Sequence, residues 1–414
     1  MGLLTSAFAQ PPAGPAGVFV IGDVHPVADE VAKFDFDFVS GYTLRIVWSD
    51  LETWDATTQA PRYDFSRIDT TLENLRRRGK RMTLELFVTQ APAYILAQPN
   101  VATWLNPNPN QGGIQVVPWD ATALHAYQAL IQALANHTVA GTSWRLADHP
   151  ALESVDAPII GLQGLRELSN TLINHPGYTR EGFVQSVVDS VATSRNAFPL
   201  KFGFLAFFAM SDATSNPALD DAVYTRLTSE FNLPGKPSLG FFQETLSDLG
   251  PQPSTLGKIL AKAAPETYVM FQALRPWTLK AGTPRPREIA SATPLAGLEL
   301  AWANYGATYV ELYGADILNS DNTSGLRSWN TFLNAVGAVR ASTAAPQLHN
   351  LGSDGFRLIW DASPYLNYRI QQSTDLIGWT TLGTTEPLNG NVPVPVPNAP
   401  PRIFYRVEII APVR

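Results

Sequence analysis

Short apolar runs alternate with helix-like segments over the first three quarters of the chain. Each run is rich in Val, Ile, Leu and Phe, which is the pattern of a parallel strand with both faces covered. The segments between the runs carry apolar residues at helical spacing, as at Val184, Val187, Val188 and Val191. Eight strands are predicted in this way, at residues 18–23, 43–48, 81–88, 157–163, 201–208, 238–242, 267–272 and 307–313.

Eight strand-and-helix units in succession predict an α/β fold, a (β/α)8 TIM barrel, over residues 11–343. One of its helices is expected to have Ser66 as its N-cap and to end before Gly79. An open, doubly wound sheet is the competing fold. It would need a glycine-rich turn after the first strand, and Gly22-Asp23-Val24-His25-Pro26 is not such a turn.

The hydrophobic pattern changes near Pro346. Phe356-Arg357-Leu358-Ile359-Trp360 and Tyr368-Arg369-Ile370-Gln371 alternate between apolar and polar residues, and turn residues such as Asn389-Gly390 separate the later segments. Short alternating strands at this spacing predict a small all-β antiparallel sandwich, of the fibronectin-III-like kind, at residues 346–414.

Composition narrows the classes of function. The chain has 414 residues, a net charge of -7 and no cysteine. The lack of cysteine excludes disulfides, cysteine nucleophiles and thiolate metal sites, and without a long basic run no binding to nucleic acid is expected. The six histidines have no metal-binding spacing, and no Walker, HExxH or G-x-S-x-G motif occurs. No metal or cofactor is therefore predicted.

The start of the chain bears on location. Residues 1–10 include Ala7-Phe8-Ala9, a pattern typical of a signal-peptide cleavage site, so they are interpreted as a signal-peptide remnant or a disordered start. No segment is apolar and long enough for a membrane span. A secreted or periplasmic location is expected.

Carboxylates near the carboxyl ends of the predicted strands are the candidate catalytic residues, because enzymes with this fold have their active sites at that end of the barrel. Glu167 follows the fourth predicted strand, Glu244 follows the sixth, and Glu311 lies within the eighth. Two carboxyl groups from different strands can cleave a glycosidic bond by acid–base chemistry. The alternative role for Glu167 is a salt bridge with Arg166 or Arg45 at the rim.

Polar and aromatic side chains at the same strand ends would suit a sugar-binding cleft. Amide and guanidinium groups can bind hydroxyls, and aromatic rings can stack on pyranose rings. For each tryptophan, the alternative role is packing in the core. The candidate substrate-binding residues are His25, Arg45, Trp48, Asp50, Gln163, Arg166, Gln243, Gln272, Trp277 and Tyr313.

Several of these segments together resemble the clan A glycoside hydrolases. Gly41-Tyr42-Thr43-Leu44-Arg45-Ile46-Val47-Trp48 is similar to the second strand of those enzymes, and Tyr63-Asp64-Phe65-Ser66 to the stretch before their second helix. Pro92-Ala93-Tyr94 resembles a turn after their third strand. The run from Ile159 to Glu167 resembles their fourth strand, so the resemblance implies that Glu167 is the acid/base residue.

Two positions depart from the family pattern. Arg166 replaces the asparagine that precedes the acid/base residue, and Gln272 stands where the nucleophilic glutamate is expected. A glutamine cannot form the covalent glycosyl ester of a retaining enzyme. Either the nucleophile lies elsewhere, or the chemistry differs, or the chain carries an inactivating change.

The C-terminal region carries a second resemblance. Tyr368-Arg369-Ile370-Gln371-Gln372-Ser373-Thr374-Asp375-Leu376, Trp379-Thr380-Thr381-Leu382 and Phe404-Tyr405-Arg406-Val407 are similar to small sandwich modules at the ends of exported proteins from Verrucomicrobia-type bacteria. The resemblance implies export rather than a particular reaction.

Three hypotheses follow from the sequence. The first is an exported hydrolase that cleaves O-glycosidic bonds in an oligo- or polysaccharide, with Glu167 as general acid and Glu311 or Glu244 as the second carboxylate. The second is a non-catalytic or degenerate carbohydrate-binding barrel, which Gln272 favours. The third is an attachment protein in which the sandwich carries the function.

Overall fold

Eight parallel strands close into a barrel in which each strand pairs with the barrel strands before and after it in the chain. The computed structural model describes residues 13–22, 30–107, 113–157, 170–212, 217–232, 239–251, 254–341, 347–350, 356–359, 367–375, 377–385, 391–394 and 403–410. The barrel strands, numbered in chain order among all strands, are β1 (Gly17–Ile21), β2 (Gly41–Val47), β5 (Arg81–Phe87), β8 (Leu152–Asp156), β9 (Phe202–Ala206), β10 (Leu239–Leu246), β11 (Val269–Ala273) and β12 (Tyr309–Leu312).

The predicted (β/α)8 barrel is confirmed, and the fourth strand is the one that was misplaced. It was predicted at residues 157–163, whereas the fourth barrel strand is β8, Leu152–Asp156. Residues 158–163 lie outside the described residues. The sixth strand, β10, was predicted to end at residue 242 but continues to Leu246, so that Glu244 lies within it rather than after it.

Helices connect the barrel strands. Those described are α1 (Trp48–Leu51), α2 (Ser66–Arg77), α3 (Ala93–Leu96), α4 (Ala121–Asn136), α5 (Asn170–Ile173), α6 (Arg180–Ala197), α7 (Leu219–Phe231), α8 (Ser254–Ala263), α9 (Leu295–Tyr305), α10 (Gly314–Leu318) and α11 (Thr323–Ala341), with short 3-10 turns at Glu30–Phe34, Leu146–Asp148 and Ser320–Asn322.

The ends of α2 test one local prediction. Ser66 is the first residue of the helix rather than its N-cap, which is Phe65. The Ser66 amide instead donates to the Asp64 carboxylate, at 3.0 Å. Gly79 follows the helix with a φ of +65°, in the left-handed region that glycine adopts readily, so the predicted stop is confirmed.

Two antiparallel hairpins project from the carboxyl-end face of the barrel. The first, β3 (Glu52–Asp55) with β4 (Ala60–Tyr63), follows the second barrel strand. The second, β6 (Thr103–Asn106) with β7 (Gly113–Val116), follows the third. Both occupy the connections from strand to helix, which is the side where active sites of such barrels are built.

Arg81 closes the opposite, amino end of the barrel. Its guanidinium donates to the Ala16 carbonyl (2.6 Å) and to Asn334 Oδ1 (2.8 Å), and it forms a short ion pair with Glu153. The register between β5 and β8 shifts at Glu153, since Met82 pairs with Leu152 and the next residue pairs with Ser154. This bulge brings Glu153 to Arg81.

The C-terminal region forms two three-stranded antiparallel sheets, as the prediction of an all-β antiparallel unit required. One contains β13 (Gln347–Asn350), β14 (Phe356–Ile359) and β17 (Asn391–Val394), and the other β16 (Thr380–Thr385), β15 (Asn367–Ser373) and β18 (Phe404–Ile410). Leu358 and Val394 are buried in the first sheet and Tyr368 and Ile370 in the second. The predicted domain bounds at 343 and 346 stay predictions. Among the helices described, none is long and apolar enough to cross a membrane.

Candidate active site

The barrel interior changes from apolar to charged towards the carboxyl ends of the strands. Towards the amino ends of the strands, the interior is filled by a cluster of mostly aromatic side chains, which includes Phe19, Phe204, Phe242, Met270 and Tyr309. Residues two apart along a strand share a face. Two residues further on, the interior side chains of the first and fifth strands are the apolar Ile21 and Ala206, whereas those of the other six strands are polar: Arg45, Glu85, Asp156, Glu244, Gln272 and Glu311. We call these six residues the polar layer.

Glu311 is a fully buried member of the polar layer. Its Oε1 atom accepts hydrogen bonds from the Thr43 hydroxyl (2.6 Å) and the Tyr309 hydroxyl (2.5 Å). Tyr309 also lies 2.8 Å from Thr83, whose hydroxyl lies 2.8 Å from that of Ser154. These hydroxyls connect strands two, three, four and eight below the carboxylate, and they fix its orientation.

The pKa of Glu311 is raised to about 7. Burial is the main cause, and the nearby charge of Glu244 adds to it, while the two hydroxyl donors and Arg45 act in the opposite direction. A carboxyl group with this pKa can gain or lose a proton near neutral pH, as a general acid or base requires.

Asp156 is a second buried carboxylate at the end of the fourth strand. One oxygen accepts a hydrogen bond from the Leu86 amide, at 2.9 Å. Burial raises the pKa of Asp156 well above its usual value, and the neighbouring charges of Glu85 and Glu311 raise it further. Several carboxyl groups in one enclosed layer cannot all ionise, so part of the layer stays protonated.

Arg45 supplies the positive charge of the polar layer. Its Nε atom lies 3.5 Å from Glu85 Oε2, and its guanidinium group packs over the Phe87 ring at 5.3 Å. Its charge also lowers the pKa of Glu311. The positive charge of Arg45 thus reduces the electrostatic repulsion between the carboxylates of neighbouring strands.

Glu244, Gln272 and Glu311 lie on three consecutive strands, the sixth, seventh and eighth. Gln272 pairs in register with Glu311, and Glu244 influences the pKa of Glu311 across this strand. Because neighbouring strands are about 4.8 Å apart, the backbones of the sixth and eighth strands are about 10 Å apart. Carboxyl groups that converge from there can fall within the roughly 5–9.5 Å separation that glycosidic cleavage uses.

Some acceptor oxygens of the polar layer are buried without a hydrogen-bond partner within the described part of the chain. Among them are Glu311 Oε2, Asp156 Oδ2 and Gln272 Oε1. Buried polar atoms are normally satisfied, and exceptions cluster at functional sites. Acceptors of this kind match hydroxyl donors, which a sugar carries in abundance.

Three predicted substrate-binding residues are buried and hydrogen-bonded to groups outside the polar layer, and their role in binding stays a prediction. Trp48 is buried and its indole N–H donates to Glu52 at 2.6 Å. The Gln243 amide donates to the Phe207 carbonyl, because Gln243 points away from the barrel interior when Glu244 points towards it. Trp277 is fully buried and its indole N–H donates to Asp248, at 2.7 Å.

The remaining predicted residues fall into two groups. Asp50 is exposed at the carboxyl-end face and lies 3.4 Å from Arg67, and Tyr313 is half-buried just after the eighth strand. The residues that lie outside the described part of the chain are His25, Gln163, Arg166 and Glu167.

Two functional candidates escaped the sequence interpretation. Asp156 was overlooked because the fourth strand was placed too late in the chain. Tyr309 looked like an apolar strand residue, and only the closed barrel brings it to Thr43 and Thr83 on other strands. Within the described residues, no three histidine, aspartate or glutamate side chains are grouped so that they could hold a metal ion.

Comparison with known proteins identifies the fold. No protein-family model matches the sequence, and no curated protein matches it. The endo-1,4-β-mannanase of Rhizomucor miehei is similar in structure, with a TM-score of 0.51 and 8% identity over 78% of this chain and 98% of that one. An endo-β-1,4-mannanase from Thermotoga petrophila matches at TM-score 0.45 and 11% identity, over 89% of each chain. A D-allulose 3-epimerase from Methylomonas matches at 0.39 and 10% identity, over 72% of this chain and 85% of that one.

An endo-1,4-β-mannanase is thus among the structures that share this fold. At 8% identity the similarity shows the fold alone, and the reaction is argued from the site itself.

The raised pKa of Glu311 predicts how stability depends on pH. The carboxyl is protonated up to about pH 7 in the folded chain but only to about pH 4.5 when unfolded. Its contribution to the free energy of unfolding is therefore complete below about pH 4.5 and is lost as the pH rises through 7. Relative to Glu311→Gln, the wild type should lose about 3 kcal/mol between pH 4.5 and 8, measured by urea denaturation.

The exposed carboxylate Glu230 provides the control. The Glu230→Gln variant should follow the wild type across the same pH range. If the free energy of unfolding changed in parallel with pH for wild type and Glu311→Gln, the pKa of Glu311 would not be raised by folding.

Proposed function

We propose that this protein hydrolyses O-glycosidic bonds in an oligo- or polysaccharide, with chemistry carried by carboxyl groups of the polar layer. The observation that carries the proposal is the group of enclosed carboxyls at the carboxyl ends of different barrel strands, one of them with a pKa of about 7. Hydrolysis of a glycosidic bond needs one carboxyl to protonate the leaving oxygen and a second to activate water or to attack the anomeric carbon.

Glu311 or Glu244 is proposed as the second carboxylate, and Glu167 as the proton donor. Glu311 and Glu244 share the polar layer and influence one another electrostatically. The assignment of Glu167 rests on the sequence pattern alone. Gln272, between the two carboxylates, is proposed to bind a substrate hydroxyl through its buried carbonyl oxygen.

One assay separates hydrolysis from its alternative. Wild type and the Gln272→Glu variant are incubated with soluble β-1,4-mannan, xylan and aryl glycosides, and released sugars are measured. Turnover by the wild type is expected. Turnover by the variant alone would identify a degenerate retaining enzyme, because a glutamate on the seventh strand restores the missing nucleophile.

Gln272 favours a second candidate function, a barrel that binds glycans without cleaving them. The amide on the seventh strand cannot act as a nucleophile. Binding to a glycan without turnover by wild type, Gln272→Glu or any other variant would support this function over hydrolysis.

We propose in addition that the protein acts outside the cytoplasm. The support is the resemblance of the C-terminal strands to modules of exported bacterial proteins. Cell fractionation of the producing bacterium tests this location independently of any activity.

A further inference from the structure

Two aromatic rings lie together at the carboxyl-end face, outside the polar layer. Trp54 belongs to β3 and Tyr94 to α3, and their ring centroids are 4.9 Å apart with the planes inclined at 34°. Trp54 is 42% exposed, and Tyr94 is half-buried. The pair therefore presents ring surface to solvent, and we call it the aromatic platform.

The platform faces the barrel side of its hairpin. Residues two apart on a strand share a face, so Trp54 projects from the same face as Glu52. Glu52 is buried and accepts a hydrogen bond from the Tyr94 hydroxyl. The loops that contribute the two rings follow the second and third barrel strands, which carry Arg45 and Glu85 of the polar layer.

Buried hydrogen bonds hold the platform in place. One Glu52 oxygen accepts from Tyr94 and the other from the Trp48 indole, at 2.6 Å. Burial raises the pKa of Glu52, with the two hydrogen bonds acting against it. The hairpin turn is fixed by the Asp55 carboxylate, which accepts from the amides of Thr57 and Thr58. Rings held in this way lose little conformational entropy when a ligand binds.

We propose that the aromatic platform is a subsite that stacks a pyranose unit of a glycan extending out of the polar layer. The subsite rests on the proposed action of the barrel on glycans. The C–H face of a pyranose ring is apolar and flat, and an exposed, fixed indole offers a matching surface. A short substrate confined to the polar layer would not reach the platform, whereas a polymer would.

The test compares two exposed tryptophans. Trp144, 46% exposed, lies in the connection between α4 and β8, at the amino end of the barrel, and serves as the matched control. Trp54→Ala, Trp54→Phe and Trp144→Ala are made in a Glu311→Gln background, which prevents turnover. Their dissociation constants for soluble β-1,4-mannan and xylan are measured by affinity gel electrophoresis.

Trp54→Ala should weaken binding about tenfold to whichever polymer retards the parent protein in the gel. Trp54→Phe should keep most of the binding affinity, and Trp144→Ala should leave the affinity unchanged. Equal effects of Trp54→Ala and Trp144→Ala would overturn the subsite, as would a parent protein that neither polymer retards.

The subsite and the proposed hydrolysis fail in different ways. Cleavage of aryl glycosides together with polymer binding that does not depend on Trp54 leaves hydrolysis standing and removes the subsite. Polymer binding that depends on Trp54, without turnover of any substrate, retains the subsite and removes hydrolysis.

Discussion

Glu311→Gln should reduce kcat for glycoside hydrolysis by about a hundredfold to ten-thousandfold, the effect expected when a general acid or base is removed. The amide oxygen of the new side chain can still accept from Thr43 and Tyr309, so the hydroxyl network under it is preserved. The variant loses the proton that Glu311 exchanges near pH 7. Initial rates on the substrate that the wild type cleaves, with circular dichroism to verify folding, measure the effect.

Glu153→Gln is the matched control for this substitution. The pKa of Glu153 is also raised to about 7 by burial, but the residue lies at the amino end of the barrel, beside Arg81. Its replacement should leave kcat within about threefold of wild type, because chemistry takes place at the other end. A comparable loss in both variants would mean that Glu311 supports the fold and takes no part in the reaction.

Arg81→Met should lower the free energy of unfolding by about 3 kcal/mol at pH 8, the cost of leaving a largely enclosed carboxylate without its cation. Arg81 supports Glu153, whose side chain is 9% exposed, and two further acceptors, at Ala16 and Asn334. Without Arg81 the pKa of Glu153 rises further, so the folded variant takes up a proton at low pH. The loss should therefore be smaller at pH 5 than at pH 8, as urea denaturation would measure.

Arg76 provides the comparison for Arg81. It also pairs with a glutamate, Glu73, but it is 46% exposed at the end of α2. Arg76→Met should cost less than about 0.5 kcal/mol. Adding Glu153→Gln to Arg81→Met should recover part of the stability, since the second substitution removes the unpaired charge. Equal losses for the two arginine variants would contradict the assigned role of Arg81.

The sequence predicts the barrel well because its strands are buried on both faces. Apolar runs marked seven of the eight strands, and helical spacing marked α6 from Val187 and Val191, both of which are buried. The fourth strand escaped for a physical reason. Leu152–Asp156 contains two carboxylates, and a more apolar run follows it. Glu153 tolerates this position because of Arg81, and Asp156 because of the polar layer, and neither partner is visible in a local pattern.

The residues of the candidate site could not all be predicted from the sequence, because their orientation depends on contacts between segments that are distant in the chain. Whether Glu244 or Gln243 faces inwards depends on β10 continuing past residue 242, since successive residues point to opposite faces. Trp48 and Trp277 are of the residue type that stacks on sugars, yet each is itself buried and its indole donates to a carboxylate, Glu52 and Asp248 respectively. Which tryptophan is exposed depends on the packing of loops that are distant in sequence.

Closure of the barrel has a consequence for synthesis of the protein. The Val18 amide donates to the side chain of Asn330, 312 residues later, and the first strand pairs with the eighth. Thr43 cannot meet Glu311 before the ribosome has released nearly the whole barrel. Until then the growing chain exposes strand edges that can pair wrongly, and such long-range pairing is slow. The hydrogen bonds that orient Glu311 therefore cannot form in a short nascent chain, and newly made protein passes through an interval before closure in which its strand edges are exposed.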